Sequence, residues 1–284
     1  MAIPDAHDPP QEERATKAQQ ERRGNVDTRG RTRLFWDVVF AIVRGIGRLA
    51  KNFYATFGII LCAGAAVALG GTYLFAEFAG HVSSGKTQAF DDSVLRWVAE
   101  HRTPSLEPVM LEITFLGTGT VVIALVAVSG MFLWLSNHKY SAVLLLVSTI
   151  GGILLNNLLK VGFGRPRPQV IDWETHVVSW SFPSGHAMSA AVVYGTVAYL
   201  AARLQQRRLH RALTLSAAVG LILLIAASRV YLGVHYPSDV LAGIIIGLAW
   251  AAFCMAVLEA TQLYARRRAP RILEHENPAP RDLA

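Results

Sequence analysis

Six stretches of this 284-residue chain are too long and too apolar to be the core helices of a water-soluble domain. They lie near residues 53–76, 109–135, 140–159, 186–202, 212–229 and 238–264. An α-helix rises about 1.5 Å per residue, so crossing the hydrocarbon core of a bilayer takes roughly 20 apolar residues. Composition agrees: hydrophobic residues make up 52% and charged residues only 17%, against about 25% charged in an ordinary soluble domain. Mean hydropathy is +0.35. A simple soluble globular fold is excluded, as is a disordered chain, which lacks apolar residues to bury. The fold class is therefore all-α: a polytopic membrane bundle of six transmembrane helices occupying residues 53–264.

The flanks read differently. Residues 1–33 are polar and charged, with Pro9, Pro10 and a Gln/Glu/Arg run, the composition of a disordered cytosolic tail. No apolar run follows Met1, so no cleavable signal peptide is expected. Over residues 34–52, Leu34, Val38, Ile42, Ile46 and Leu49 recur at helical spacing while Asp37, Arg44, Arg48 and Lys51 interrupt any spanning run. That pattern predicts an amphipathic helix lying in the membrane interface. Residues 265–284 read as a cytosolic C-terminal tail.

The formal net charge of +7 suggests nucleic acid only until its distribution is examined. With six spans, most Lys and Arg residues fall on one side: the N-terminal segment, Lys139, the Arg203–Arg211 connection and the C-terminal tail. Clustered cations of this kind set membrane orientation, so both termini are expected to be cytosolic and no nucleic-acid partner is implied. The opposite side keeps Lys86, Arg96, Arg102, Lys160, Arg165, Arg167 and Arg229. Four of these crowd the ends of the third and fifth spans, where no topological rule asks for positive charge.

Three segments explain them: Lys160-Val-Gly-Phe-Gly-Arg165-Pro-Arg167-Pro168, Pro183-Ser184-Gly185-His186, and Ser228-Arg229-Val-Tyr-Leu-Gly-Val-His235-Tyr-Pro-Ser-Asp239. Six-span topology delivers all three to the extracytoplasmic face. Arg presents a planar fork matched to phosphate oxygens, and Lys a compact point charge. Ser184 is placed to cap the helix that follows. Gly185 admits close backbone approach there, and the free N–H groups of a helix start favour an anion. His235 and Asp239, four residues apart, share one helical face, so Asp239 can fix the imidazole tautomer and stabilise its cation. A nitrogen of His235 can then act as nucleophile. His186, on another helix, can protonate the leaving oxygen, its ordinary pKa near roughly 6.5 suiting acid–base work. The chemistry is that of a phosphoryl site.

These segments resemble the signature of the type-2 phosphatidic acid phosphatase superfamily, which also contains glucose-6-phosphatase and the vanadium haloperoxidases. The family pattern is Lys, six residues, Arg-Pro; then Pro-Ser-Gly-His; then Ser-Arg, five residues, His, three residues, Asp. Lys160, Arg167, Pro168, Pro183, Ser184, Gly185, His186, Ser228, Arg229, His235 and Asp239 match every position. The stretch from Phe90-Asp91 through Thr118 also resembles bacterial members. The resemblance implies that His235 attacks phosphorus to form a phosphohistidine, that Asp239 holds its ring, and that His186 protonates the leaving group and then activates water. It implies that Lys160, Arg167, Ser184, Gly185 and Arg229 hold the phosphate oxygens. No metal or other cofactor is implied, and no carboxylate, His or Cys cluster in the sequence offers a cage for one.

The leading expectation is an integral membrane phosphatase acting on a lipid phosphate or diphosphate at the outer face of a bacterial-type cell membrane. Undecaprenyl diphosphate, phosphatidic acid and phosphatidylglycerol phosphate are the plausible substrates, with membrane lipids as the surroundings. A lipid phosphotransferase using the same intermediate is the alternative enzyme, a non-catalytic phospholipid transporter the alternative class. A haloperoxidase fits less well, such relatives being soluble and longer. Other residues receive plainer readings. Arg165 is an additional phosphate or headgroup contact, or a plain interfacial anchor. Trp173, Trp180 and Phe182 are aromatic-belt anchors, and His176 is a solvated loop residue. Cys62 and Cys254 are small buried core residues. The Gly117-Thr118-Gly119-Thr120 patch allows close helix packing within the second span.

Overall fold

The computed structural model describes residues 53–170 and 179–276, with side chains from 61 to 170 and 179 to 262. The expected tail over 1–33, the interfacial helix over 34–52, His176 and Trp173 lie outside the described residues. The described residues form eight helices and no strand. They are α1 (Phe53–Ser83), α2 (Gln88–His101), α3 (Leu106–Phe115), α4 (Gly119–Leu135), α5 (Lys139–Phe163), α6 (Gly185–Leu204), α7 (Arg208–Tyr231) and α8 (Pro237–Glu276).

Five of these contain segments long and apolar enough to cross a membrane: Leu61–Ser83, Lys139–Phe163, Gly185–Leu204, Arg208–Tyr231 and Pro237–Gln262. The sixth expected span is broken. α3 and α4 together have the required length, but the chain bends by 46° between them. The bend occurs where Gly117 passes the bundle: a Cβ there would lie 2.7 Å from Ile225 Cγ2 and 3.1 Å from His186 Cδ2. The glycine patch thus does allow close packing, at a break in the span and not along a continuous helix. At the other end of the chain α8 remains helical to Glu276, well past the apolar block that ends near 264.

α6 is the centre of the bundle. Its buried residues, Ala187, Met188, Ala190 to Val193, Thr196, Ala198, Leu200 and Ala202, go round the whole helix, and it packs most extensively against α8 and α7, then α5. Small residues make this possible. A Cβ on Gly243 of α8 would stand 2.7 Å from the Ser184 carbonyl oxygen, and one on Gly247 would stand 2.9 Å from that of Met188. This Gly-x-x-x-Gly step lets two backbones touch, the means by which membrane helices associate where lipid offers no hydrophobic contrast. α1, by contrast, buries among its described side chains a stripe of Ala68, Phe75, Ala79 and Val82 and exposes Val67, Leu69 and Tyr73. Those outward apolar side chains suit an acyl environment. Cys62 is on this outward surface, contrary to the expected burial, whereas Cys254 is buried; an apolar block in a membrane helix has a lipid side as well as a core side.

Candidate active site

Each of the three polar segments is delivered by a helix end. α5 carries a buried face of Leu145, Thr149, Gly152, Asn156 and Lys160, which brings Lys160 inward at its last turn. Gly164, at φ +55°, closes the helix with an N–H bond of 3.0 Å to the Lys160 carbonyl, the left-handed C-terminal turn that glycine adopts without steric cost. α7 ends the same way. Gly233, at φ +70°, reverses the chain while the Val234 N–H bonds the Arg229 carbonyl at 3.2 Å. That turn presents His235 just before α8 begins at Pro237, a residue favoured at the first helical position. His235 is therefore not on the helix with Asp239, as the four-residue spacing suggested. Its side chain reaches the carboxylate from the preceding turn, with Nδ1 3.5 Å from Asp239 Oδ2.

Asp239, fully buried, sits in the first turn of α8. Its Oδ2 accepts the Tyr236 backbone N–H at 2.9 Å, one half of a capping box. Oδ2 also accepts the Ser181 hydroxyl in a very short bond, and Ser181 Oγ lies 3.3 Å from His235 Nδ1. Ser181 thus stands between ring and carboxylate, a contact the sequence reading missed; its only signal was its place two residues before Pro183. Asp239 Oδ1 accepts Arg165 Nη1 at 2.6 Å.

The other ring nitrogen faces a cation. Arg167 Nη1 is 3.2 Å from His235 Nε2 and donates to the Val234 carbonyl at 2.6 Å, while Nε donates to the Ser179 carbonyl at 2.8 Å. A guanidinium can only donate, so Nε2 must present its lone pair and the proton resides on Nδ1, toward Ser181 and Asp239. Burial, opposed by Asp239 and reinforced by Arg167 and Arg229, lowers the His235 pKa from 6.5 to about 3. The ring is neutral at pH 7. Burial also lowers the Arg167 pKa, against the attraction of Asp239.

The remaining residues close around this pair. Ser184 occupies the N-cap position of α6 in extended conformation, and its N–H bonds the Asp239 carbonyl at 2.9 Å. Its hydroxyl makes no capping bond, contrary to expectation. Among the described residues, Ser184 Oγ and Arg229 Nε are buried donors without a protein partner; Arg229 Nη1 donates to Thr114 at 2.7 Å. Lys160 Nζ donates to the Trp180 carbonyl in a very short bond. At Gly185 a Cβ would approach Asn156 Oδ1 to 3.2 Å and Lys160 Cε to 3.8 Å, so the start of α6 abuts the end of α5. His186 is half-buried in the first turn of α6, against Gly117. Lys160, Arg167, Ser184, Gly185, Arg229, His235 and Asp239 thus converge at one end of the bundle, joined there by the α6 turn that bears His186.

Two aromatic and cationic readings need correction. Phe182 is fully buried, stacked on Phe75 at 5.9 Å and edge-on to Phe163 at 4.9 Å; it anchors the loop to the core and is no belt residue, whereas Trp180 is half-exposed. Arg165 is neither a headgroup contact nor an interfacial anchor. Its guanidinium bridges Asp91 and Asp239, and those carboxylates hold its pKa above the ordinary arginine value despite burial. Among the described residues no group of three or more His, Cys, Asp or Glu is arranged to hold a metal ion.

Known proteins match this arrangement. The PAP2 superfamily model matches residues 141–262, a range that holds every residue of the three segments. Phosphatidylglycerophosphatase B of Bacillus subtilis is 34% identical over 175 residues, covering 61% of this chain and 86% of that protein. An undecaprenyl-diphosphatase of Sulfolobus acidocaldarius is 29% identical over 141 residues, covering 48% of this chain and 64% of that one. A solved transmembrane PAP2-type phosphatidylglycerolphosphate phosphatase from Bacillus subtilis superposes with a TM-score of 0.65 at 30% identity, covering 69% of this chain and 97% of the other.

Proposed function

This multi-pass membrane protein belongs to the PAP2 superfamily, and from that membership and the site geometry we propose that it hydrolyses a lipid phosphate or diphosphate through a phosphohistidine at His235. The observation that carries the reading is the contact of Arg167 Nη1 with His235 Nε2 at 3.2 Å. It fixes a neutral ring with its lone pair aimed at a cationic group, which is the position of an attacking atom beside an anion clamp.

The chemistry runs in two displacements. His235 Nε2 forms a bond to phosphorus as the bond to the leaving oxygen breaks, and Arg167 passes from the ring to a phosphoryl oxygen. The ring gains positive charge with its proton still on Nδ1, where Ser181 and Asp239 stabilise it. Arg229 Nε and Ser184 Oγ, buried donors free of protein partners among the described residues, supply further hydrogen bonds to the oxygens with Lys160. The α6 N-terminus at Gly185 adds backbone N–H groups. His186 gives its proton to the leaving oxygen. In the second displacement it takes one from water as water attacks phosphorus and the Nε2–P bond breaks. Positioned cations and dipoles supply the electrostatic stabilisation on which phosphoryl transfer chiefly depends. Because Lys and Arg neutralise the oxygens, no divalent metal is required in this scheme.

Relatives named for phosphatidylglycerophosphate and undecaprenyl diphosphate support a lipid substrate, with the tail among the helices and the headgroup at the site. The charge distribution supports an extracytoplasmic site with cytosolic termini. The test is phosphate release by purified protein from a panel of lipid mono- and diphosphates in detergent micelles, with and without chelator. Release that survives chelation is expected. Tight lipid binding with no release across the panel would instead favour a transporter, and a strict Mg requirement would refute the metal-free scheme.

A further inference from the structure

Behind Asp239 lies a second, fully buried carboxylate that the proposed reaction does not touch. Asp91 belongs to α2 and is completely shielded from solvent. Its Oδ1 accepts the Ser238 backbone N–H at 3.0 Å, and its Oδ2 accepts the Ser238 hydroxyl at 2.6 Å. It therefore caps the N-terminus of α8 from 147 residues away, immediately beside Asp239. Between the two carboxylates stands Arg165. Its Nη1 donates to Asp239 Oδ1 at 2.6 Å and to Ser238 Oγ at 2.7 Å, and its Nη2 donates to Asp91 Oδ2 at 2.8 Å and to Gln88 Oε1 at 3.0 Å. The guanidinium carbon lies over the Tyr236 ring, 4.1 Å from its centroid, and Arg165 is nearly buried, with 11% of its side chain exposed.

The charges in this cluster do not cancel. Two carboxylates share one guanidinium, which leaves one negative charge, in a region where burial makes every uncompensated charge matter. If Asp239 had Arg165 to itself, the pair would be neutral and the ring of His235 would face little negative potential. With Asp91 taking the other arm of the fork, Arg165 orients the Asp239 carboxylate without cancelling it. The surplus charge then faces His235 Nδ1, where the ring turns cationic once Nε2 is phosphorylated. The other ionisable side chains around the ring, Lys160, Arg167, Arg229 and His186, are basic, so no other carboxylate supplies that counter-charge among the described residues.

We infer that Asp91 and Arg165 are positioning residues that set the charge on the Asp239–His235 pair and thereby the rate of phosphoryl transfer. This rests on His235 being the nucleophile. The test uses full-length protein in detergent and phosphate release from phosphatidylglycerol phosphate, comparing wild type with D91N, R165Q, R165K and the double variant D91N/R165Q. D91N lets Arg165 cancel Asp239, and kcat should fall about 10- to 100-fold, the scale on which metal-bound histidines lose function when their outer carboxylate partner is removed, with KM within about twofold because no phosphate-holding residue is changed.

Removing the now unbalanced cation as well should restore activity, so D91N/R165Q is expected to be several-fold faster than D91N alone. A purely structural role predicts the reverse, a double variant as poor as the worse single one. Should D91N fail to give folded protein, the Arg165 pair decides. R165K keeps a cation between Asp91 and Asp239, whereas R165Q leaves two buried like charges side by side with nothing to orient Asp239 toward the ring. R165K should therefore exceed R165Q in kcat by about tenfold, and equal losses would overturn the inference. A wild-type chain that releases phosphate while the variants change KM alone, or show no rescue, refutes this inference only. A wild type that releases none refutes the nucleophile reading beneath it.

Discussion

Replacing Asp239 by asparagine tests the site at its most constrained atom pair. The carboxylate accepts on both oxygens: Arg165 on Oδ1, and Tyr236 N–H and Ser181 on Oδ2, with His235 Nδ1 at 3.5 Å. An amide has one oxygen and one donor, and both placements fail. With the amide oxygen on the Oδ2 side, its NH2 meets the Arg165 Nη1 donor across a 2.6 Å separation. With the NH2 on the Oδ2 side, donors confront the Tyr236 N–H, and the ring is driven to carry its proton on Nε2, facing Arg167. That tautomer has no lone pair to attack with. The corresponding Asp-to-Asn change in Ser-His-Asp hydrolases lowers kcat about 10⁴-fold by the same tautomer exchange, or about 5 kcal/mol of barrier. A loss of that order in phosphate release is expected here, with KM little altered. Stability should also fall, by about 3 kcal/mol, the lower end for breaking a buried ion pair, because Arg165 keeps Asp91. D239N protein that keeps more than a tenth of the wild-type kcat would refute the tautomer argument.

Three further outcomes are expected. His235 has a folded-state pKa near 3 against an ordinary 6.5, so the unfolded state binds more protons between those values. Its contribution to stability is complete above about pH 6.5 and is lost as pH falls toward 3, costing about 2 kcal/mol at pH 5. Melting in detergent should show this slope, and an H235N variant that keeps it unchanged would contradict the assignment. Gly243→Ala puts a methyl 2.7 Å from a backbone oxygen, which cannot yield, and should destabilise by about 1–3 kcal/mol and slow turnover. Gly220→Ala, in α7 with nothing within 4 Å, should be neutral or stabilising by about 0.5–1 kcal/mol; equal effects would refute the packing account. A cysteine placed at Ser179, with Cys62 and Cys254 replaced, should react with an impermeant reagent in intact cells, and labelling only after lysis would invert the topology.

The three segments were legible because their residue types are unusual at the ends of apolar helices, and the span count followed from length alone. What escaped the sequence depends on distances that spacing does not encode. The break between α3 and α4 lies inside an unbroken apolar run, where hydropathy cannot separate a bend from a straight helix. Pro237 did carry a signal, since proline favours the first turn of a helix and so leaves His235 outside it. Arg165 looked like one more interfacial cation until Asp91 and Asp239, 74 residues away on either side, were found on its two arms. Phe182 lies in a polar loop yet is buried because Phe75 and Phe163 come from helices far away in sequence. Cys62 shows the converse error, an apolar stretch whose outer side meets lipid.

The most direct test is to quench turnover in alkali within milliseconds and locate the phosphoryl group by mass spectrometry. The account requires an acid-labile phosphate on the peptide containing His235, lost in H235A and, in H186A, both formed and hydrolysed more slowly, since the leaving-group acid and the water-activating base are removed together. Phosphate on any other residue, or steady turnover by H235A, would contradict it.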